Sequence, residues 1–347
     1  MRSVRIGVVG VGLVGKRHVG AIARAVGVEI AGVVEPNPQE ADFVGEHGLT
    51  NHPSVASLLS NSKPDGVVIA TPTSVHIEQA LECVAHGCPV LIEKPIALHA
   101  DDARALIERA ERDRVAVLVG HHRRHNPLIK RAHEMIQSGD LGTVRAVHGS
   151  CWFYKPDEYF DVAPWRKRKG AGIVSVNLVH DIDLLRHLVG EIVSVQSLTT
   201  PSARGYENED VVVALLRFAD GAVGTITASD SIAAPWSWEH TAHEYPIYPA
   251  TPENCYLIGG SNASLSLPDL RLWSHAGGAP DWWSPISATC QVRESSDPLV
   301  NQIAHFAQVI NGGAEPLVSA REAVLTLRVI EAMQRSARSG EATAITA

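Results

Sequence analysis

The six residues Gly10-Val11-Gly12-Leu13-Val14-Gly15 constrain the fold of this chain more than any other segment. They follow an apolar, β-branched run, Val4–Val9, and precede an amphipathic stretch. In that setting each glycine has a physical reason. The first permits a tight turn, the second lets the backbone approach a pyrophosphate, and the third lets a helix pack closely on a strand. The helix that begins here would offer free N–H groups and its positive dipole end to phosphates. Without the flanking strand and helix, the same spacing would be just a glycine-rich turn.

The next apolar run, Ile30–Val34, ends at Glu35, 20 residues after Gly15. A carboxylate there can accept hydrogen bonds from a ribose diol and would repel a 2′-phosphate. No arginine follows it closely. The pattern therefore predicts a dinucleotide site that takes NAD rather than NADP. The plainer alternative for Glu35 is an exposed turn acid before Pro36.

Three more short runs, Val67–Ile69, Val90–Ile92 and Val115–Val119, complete an alternation with helical patterns. Such continuous β-branched runs suit strands buried on both faces. Alternation with short connections predicts a parallel, doubly wound sheet. The clearest intervening helix starts near Thr73 or Ser74, with a hydroxyl cap. It places Ile77, Ala80, Leu81 and Val84 on one face and stops at Gly87. Asn126-Pro127 opens a further helix that ends near Gly139.

After residue 143 the pattern changes. Val144–Trp152, Val193–Leu198, Val211–Phe218, Ala222–Ala228 and Asp269–Trp273 read as strands. Asp220-Gly221 between two of them is a hairpin signal. Helices close the chain near 298–311 and 320–338, the second opened by the capping box Ser319-x-x-Glu322. The segment Pro235–Pro252 has no periodicity and reads either as a lid or interface element or as a surface excursion. All seven Trp and all six Tyr lie after residue 150, which separates two architectures. The expected division is a nucleotide-binding α/β domain over 1–122 and an α+β domain over 123–347.

Composition removes several classes. The chain has 347 residues and a net charge of −8. No apolar run approaches the roughly 18 residues of a membrane helix, and the first residues enter a strand pattern at once, with no secretory signal pattern. Five scattered Cys without a CxxC pair fit reduced thiols and a cytoplasmic setting. A negative chain without a long basic run is a poor partner for nucleic acid. His121-His122-Arg123-Arg124-His125 mixes cations that would repel a metal, so no metal site is expected.

Chemistry collects at predicted strand ends, where open α/β sheets bind ligands. Thr71-Pro72-Thr73 follows one strand and Glu93-Lys94-Pro95 another. A lysine beside a cofactor can polarise a substrate oxygen, and a neighbouring nicotinamide cation would lower its pKa. A plain surface Lys–Glu pair has the same spacing. Trp152, Tyr154, Lys155, Tyr159, Trp165 and Arg166 cluster later. Aromatic faces pack on the C–H faces of sugar rings, and cations bind hydroxyl or carboxylate oxygens; ordinary sheet packing is the alternative. Arg166-Lys167-Arg168-Lys169 is either an attractor of anionic polyols or a solvated turn.

Together these segments resemble the Gfo/Idh/MocA family of NAD(P)-dependent oxidoreductases. The matching stretches are GVGLVG at 10–15, ATPTSVH at 70–76, EKP at 93–95 and GHHRRHNP at 120–127. GDLG at 139–142, GAGIVSVNLVHDIDLLRHL at 170–188 and DPLVNQIAHF at 297–306 also fit. The resemblance implies a Rossmann domain followed by an α+β domain with a large, open, mostly antiparallel sheet, whose outer face builds a homodimer or homotetramer. It implies hydride transfer to NAD from a secondary alcohol of a sugar, cyclitol or related polyol.

The resemblance also carries site residues. Lys94 would be the catalytic lysine and His180 the general base. Asp183 would orient the histidine or cap its helix. Gly10, Gly12, Leu13, Val14, Gly15, Glu35, Thr71, Pro72, Thr73, His76, Glu93, Lys94, His122, Arg123, Trp165 and Arg166 would meet the cofactor. Lys94, Arg123, Trp152, Tyr154, Lys155, Trp165, Asn177 and His180 would meet the substrate. One position departs from the inositol-dehydrogenase pattern, which has Asp four residues before the histidine. Here Val176 stands there and Asn177 follows. The valine side chain cannot accept a substrate hydrogen bond, and Asn cannot act as a base. A non-catalytic NAD-binding regulator, an NAD-assisted glycosidase and a dihydrodiol dehydrogenase share the same cofactor end and stand as alternatives.

Overall fold

The computed structural model describes residues 2–275 and 280–346 and divides the chain into two compact units. The first holds residues 1–125 and 297–327, the second 126–296 and 328–347. The sequence reading carries the second domain unbroken from 123 to the end. The structure instead returns 297–327 to the first unit, because helix Pro298–Ile310 buries Leu299, Ile303 and Phe306 in the same apolar cluster as Val19, Ile22 and Val68.

Six parallel strands form the first unit's sheet: β1 (Val4–Val9), β2 (Val28–Val34), β3 (Asn51–His52), β4 (Gly66–Ile69), β5 (Val90–Ile92) and β6 (Val117–Val119). Their order is β3-β2-β1-β4-β5-β6. The order reverses between β1 and β4, and ligands of open α/β sheets bind at the carboxyl ends beside such a switch point. Val67, Val68, Ile69, Val90 and Ile92 are all fully buried, as their unbroken apolar runs predict. Helix His76–Ala85 departs from the expected hydroxyl cap. A 3₁₀ turn, Thr73–Val75, leads into it, and no side chain caps either segment. The Thr71 hydroxyl donates to Gln79 Oε1 instead.

Among the described residues the second unit carries nine strands. They are β7 (Val144–Trp152), β8 (Ile192–Pro201), β9 (Glu209–Phe218), β10 (Val223–Ser229), β11 (Tyr256–Gly260), β12 (Ala263–Leu267), β13 (Arg271–His275), β14 (Ile286–Cys290) and β15 (Thr343–Ala344). Their order is β14-β13-β12-β11-β7-β10-β9-β8-β15, antiparallel except for the parallel pair β7 and β10. Along β9, Val212, Ala214 and Leu216 are buried while Val213 and Leu215 are 44% and 53% exposed. One face of this sheet is thus core. The other presents Leu198, Val213, Leu215, Val223 and Leu257 as exposed apolar side chains.

The expected hairpin joins β9 and β10, with a three-residue turn. Gly221 N–H donates to the Phe218 carbonyl and Gly221 takes φ +93°, while Asp220 Oδ1 accepts from Ala222 N–H. The glycine alone adopts the left-handed conformation, as this loop length requires. Among the described residues no helix is long and apolar enough to cross a membrane.

Candidate active site

The glycine loop leaves β1 with Gly10 at φ +86°, a conformation that favours glycine. A Cβ on Gly15 would lie 1.9 Å from the Gly10 carbonyl oxygen, so no side chain fits where the helix crosses the turn. A Cβ on Gly12 would meet nothing within 4 Å. The middle glycine therefore faces open space, where a ligand backbone can come close. Helix Leu13–Arg24 starts there without a capping side chain. Leu13 is 75% exposed, an apolar surface at the mouth of the loop. Glu35 Oε2 accepts from Val11 N–H at 2.6 Å and Oε1 from Asn37 N–H at 2.7 Å. These bonds aim the carboxylate at the glycine loop and leave lone pairs for further donors. The residues thus fit a dinucleotide: glycine backbone and helix N-terminus for phosphates, Glu35 for a ribose diol.

Two further loops lie at the same carboxyl edge of the sheet. His76, 1% exposed, lies within hydrogen-bond reach of the Thr71 carbonyl through Nε2 (2.8 Å) and the Pro95 carbonyl through Nδ1 (3.0 Å). It braces the loop after β4 against the loop after β5. Burial lowers its pKa, against the smaller opposing effect of those carbonyls.

Glu93, at the end of β5, pairs with His18 at 2.7 Å, and His18 is fully buried on the nucleotide helix. Burial pushes the Glu93 pKa up. The His18 hydrogen bond and the charges of His18, His122 and Lys94 outweigh it and bring the carboxyl down to about 2. Glu93 Oε2 also accepts from Lys94 N–H at 3.2 Å. The first unit therefore brings Glu93, Lys94 and His122 together around one fixed anion. Arg123 is buried, and Arg124 pairs with Glu322 at 3.4 Å. The sequence reading missed His18. Its available signal is position: three residues after Gly15, on a face otherwise filled by Val19 and Ile22.

The second unit is organised around buried charge. Lys155, 5% exposed, faces Asp230 at 3.6 Å, and Asp230 also receives Arg204 at 3.1 Å. Burial lowers the Lys155 pKa, opposed by Asp230, Cys151 and Glu239. Burial raises that of Asp230, opposed by Lys155 and Arg204 and reinforced by Asp210. Lys155 also sits over the Tyr159 ring, and Arg166 stacks on the same ring at 4.0 Å while donating to the Tyr159 carbonyl.

The remaining predicted residues divide by exposure. Tyr154 and Trp165 are 49% and 58% exposed. Trp152 is committed to the sheet, with its indole N–H on Thr227 Oγ1 at 2.9 Å and its edge against Trp236. The basic run is locally engaged: Lys167 pairs with Asp161 and Arg168 with Glu207.

His180 lies in the first turn of helix Leu178–Leu188, a helix buried on nearly every side. The next residue, Asp181, accepts a hydrogen bond from the Tyr256 hydroxyl. Asn177 precedes this helix, 8% exposed, and its amide donates to Glu239 Oε1 at 3.4 Å. Glu239 comes from the aperiodic 235–252 segment, so neither periodicity nor motif marks it.

Two family models match the chain. Residues 4–121 match the oxidoreductase family NAD-binding Rossmann fold, and residues 129–266 match the GFO/IDH/MocA C-terminal domain. The chain belongs to the Gfo/Idh/MocA oxidoreductase family. Residues 4–121, within the first unit, are the family's NAD-binding domain. Among the relatives of this oxidoreductase, the rhizopine catabolism protein MocA of Rhizobium meliloti is 31% identical over 231 residues, covering 65% of this chain and 71% of that protein. The scyllo-inositol 2-dehydrogenase (NAD(+)) of Bacillus subtilis is 26% identical over 346 residues, 97% of this chain and 95% of that one. The WlbA dehydrogenase of Bordetella pertussis, solved with NADH and UDP-GlcNAcA, superposes with a TM-score of 0.80 at 27% identity, covering 100% of both chains.

Proposed function

We propose that this oxidoreductase oxidises a secondary alcohol on a sugar, cyclitol or related polyol, with NAD as the redox partner. The observation that carries the reading is Lys94 beside the ionised Glu93, at the same carboxyl edge of the sheet as the glycine loop. The dehydrogenases of inositol and apiose among the relatives support the substrate class.

Gly10, Gly12, Gly15 and the helix N-terminus would hold the pyrophosphate, and Glu35 the adenosine ribose. When bound, the nicotinamide supplies the hydride acceptor. Lys94 polarises the substrate oxygen, with Glu93 fixed beneath its backbone. His180 takes the hydroxyl proton as general base. Asn177 meets a substrate hydroxyl, and Tyr154 and Trp165 offer exposed aromatic faces to the ring. The exposed apolar face of the nine-stranded sheet is the surface through which copies of the chain would associate as a homodimer or homotetramer. The proposed setting is the cytoplasm.

An NAD-reduction screen across inositols, aldoses, uronates and glycosides tests the reading. Turnover of a free polyol with stoichiometric NADH is expected. Glycoside cleavage without net NADH, or NAD binding with no turnover of any of them, would overturn it.

A further inference from the structure

Asn177 and Glu239 are 62 residues apart in sequence, yet they meet in the second unit. A carboxylate accepts and does not donate, so the bond from Asn177 Nδ2 to Glu239 Oε1 fixes which way the amide points. Asn177 Oδ1 then points away from Glu239. That oxygen is buried and accepts no hydrogen bond among the described residues. Buried amide oxygens nearly always have a donor, so one left open calls for a ligand or a solvent donor.

Its place in the fold is specific. Asn177 joins the short helix Ile173–Val176 to helix Leu178–Leu188, and its carbonyl accepts from His180 N–H at 3.0 Å. The Val176 side chain beside it is purely apolar, so side-chain acceptor chemistry next to this helix falls to Asn177.

Glu239 is held firmly enough to orient the amide. Ser237 caps the short helix Trp238–Thr241. Trp238 is 1% exposed, donates to Glu244 at 2.7 Å and packs against Tyr256, the residue whose hydroxyl reaches Asp181. The segment that carries Glu239 is thereby tied to the helix that carries His180. The charge of Glu239 also acts on buried Lys155.

We propose that Asn177 Oδ1 is a specificity-determining acceptor for a second substrate hydroxyl, and that Glu239 is the positioning residue that presents it. The pair selects a neutral polyol with a hydroxyl near the one oxidised. An ether oxygen or a carboxylate at that place would face an amide oxygen with no proton to share, close to the Glu239 anion. This inference rests on the polyol reading and adds its hydrogen-bond sense.

The test uses the best neutral polyol from the NAD-reduction screen. Asn177→Leu and Glu239→Leu should each raise KM about tenfold, with kcat changed far less and NADH affinity unchanged. Glu239→Gln keeps a carbonyl acceptor for the Asn177 amide and should recover most of the loss. The double Leu variant should be no worse than Asn177→Leu alone, because Glu239 acts through Asn177. KM within twofold of wild type in either Leu variant, or losses that multiply in the double variant, would overturn the pair while leaving the polyol reading intact. Wild-type protein that neither binds nor turns over any polyol would overturn that reading and this inference with it.

Discussion

The two units each bury a carboxylate against cations, with opposite results. Glu93 in the first unit is drawn down to about 2, because His18, His122 and Lys94 act on it with no second acid among its main influences. Asp230 in the second unit is pushed up, because burial and the neighbouring Asp210 outweigh Lys155 and Arg204. The nucleotide end thus keeps one fixed anion in place. The second unit balances several buried charges, and burial disfavours the charged forms of Lys155 and Asp230. A buried pair of this second kind adds little net stability, but removing one partner strands the other.

That difference can be broken most sharply at Asp230. Asp230→Ala leaves Lys155 and Arg204 without their shared partner. The expected loss is about 3–5 kcal/mol of stability, read as a fall in urea midpoint. The loss should be recovered in part when Lys155→Met removes the stranded ammonium. A midpoint within about 0.5 kcal/mol of wild type would mean the charges are solvated and the contrast is absent.

Acid should separate the units next. The Glu93 pKa is depressed from its ordinary 4.5 to about 2, so its stabilisation is fully present above 4.5 and is lost as pH falls towards 2. Asp230 and Glu209 have raised values, so the folded state holds their protons more tightly and gains as pH falls through those values. Hydrogen exchange followed from pH 5 to about 3 should therefore show β5 and the nucleotide helix loosening before β9 and β10. Simultaneous loss would remove the distinction.

The smallest effect is expected at Glu35. Glu35→Ala removes an acceptor for the ribose diol and the anion that repels a 2′-phosphate. NAD should bind about tenfold more weakly, and NADP should gain relative to NAD. Equal binding of NAD by variant and wild type would show that Glu35 serves the loop through Val11 and Asn37 and nothing else.

The same contrast explains what the sequence reveals. The parallel sheet is legible because its signals are local: β1, the glycine loop and Glu35 lie within 35 residues of one another, each with a residue type that backbone geometry demands. The strands of the second unit are legible from alternation and the Asp220-Gly221 turn. Its charge network is not. Lys155 meets Asp230, 75 positions further along the chain, and an isolated lysine after a strand looks like a solvent-facing cation. Glu239 lies in a Pro- and Trp-rich stretch whose structure comes from Trp238 packing on Tyr256, a contact that no periodicity encodes. His18 reads as one more residue of an amphipathic helix until Glu93 is folded against it. The return of 297–327 to the first unit is likewise a matter of distant packing, through Phe306 and Ile303.

Lys94 is the proposed catalytic group at the nucleotide end. Wild-type protein and Lys94→Ala, each loaded with NAD, can be mixed with the best polyol and followed by NADH absorbance in a single turnover. The variant should bind NAD as the wild type does and transfer hydride about 1,000-fold more slowly. A rate within a few fold of wild type would contradict the assignment of the reaction to this lysine.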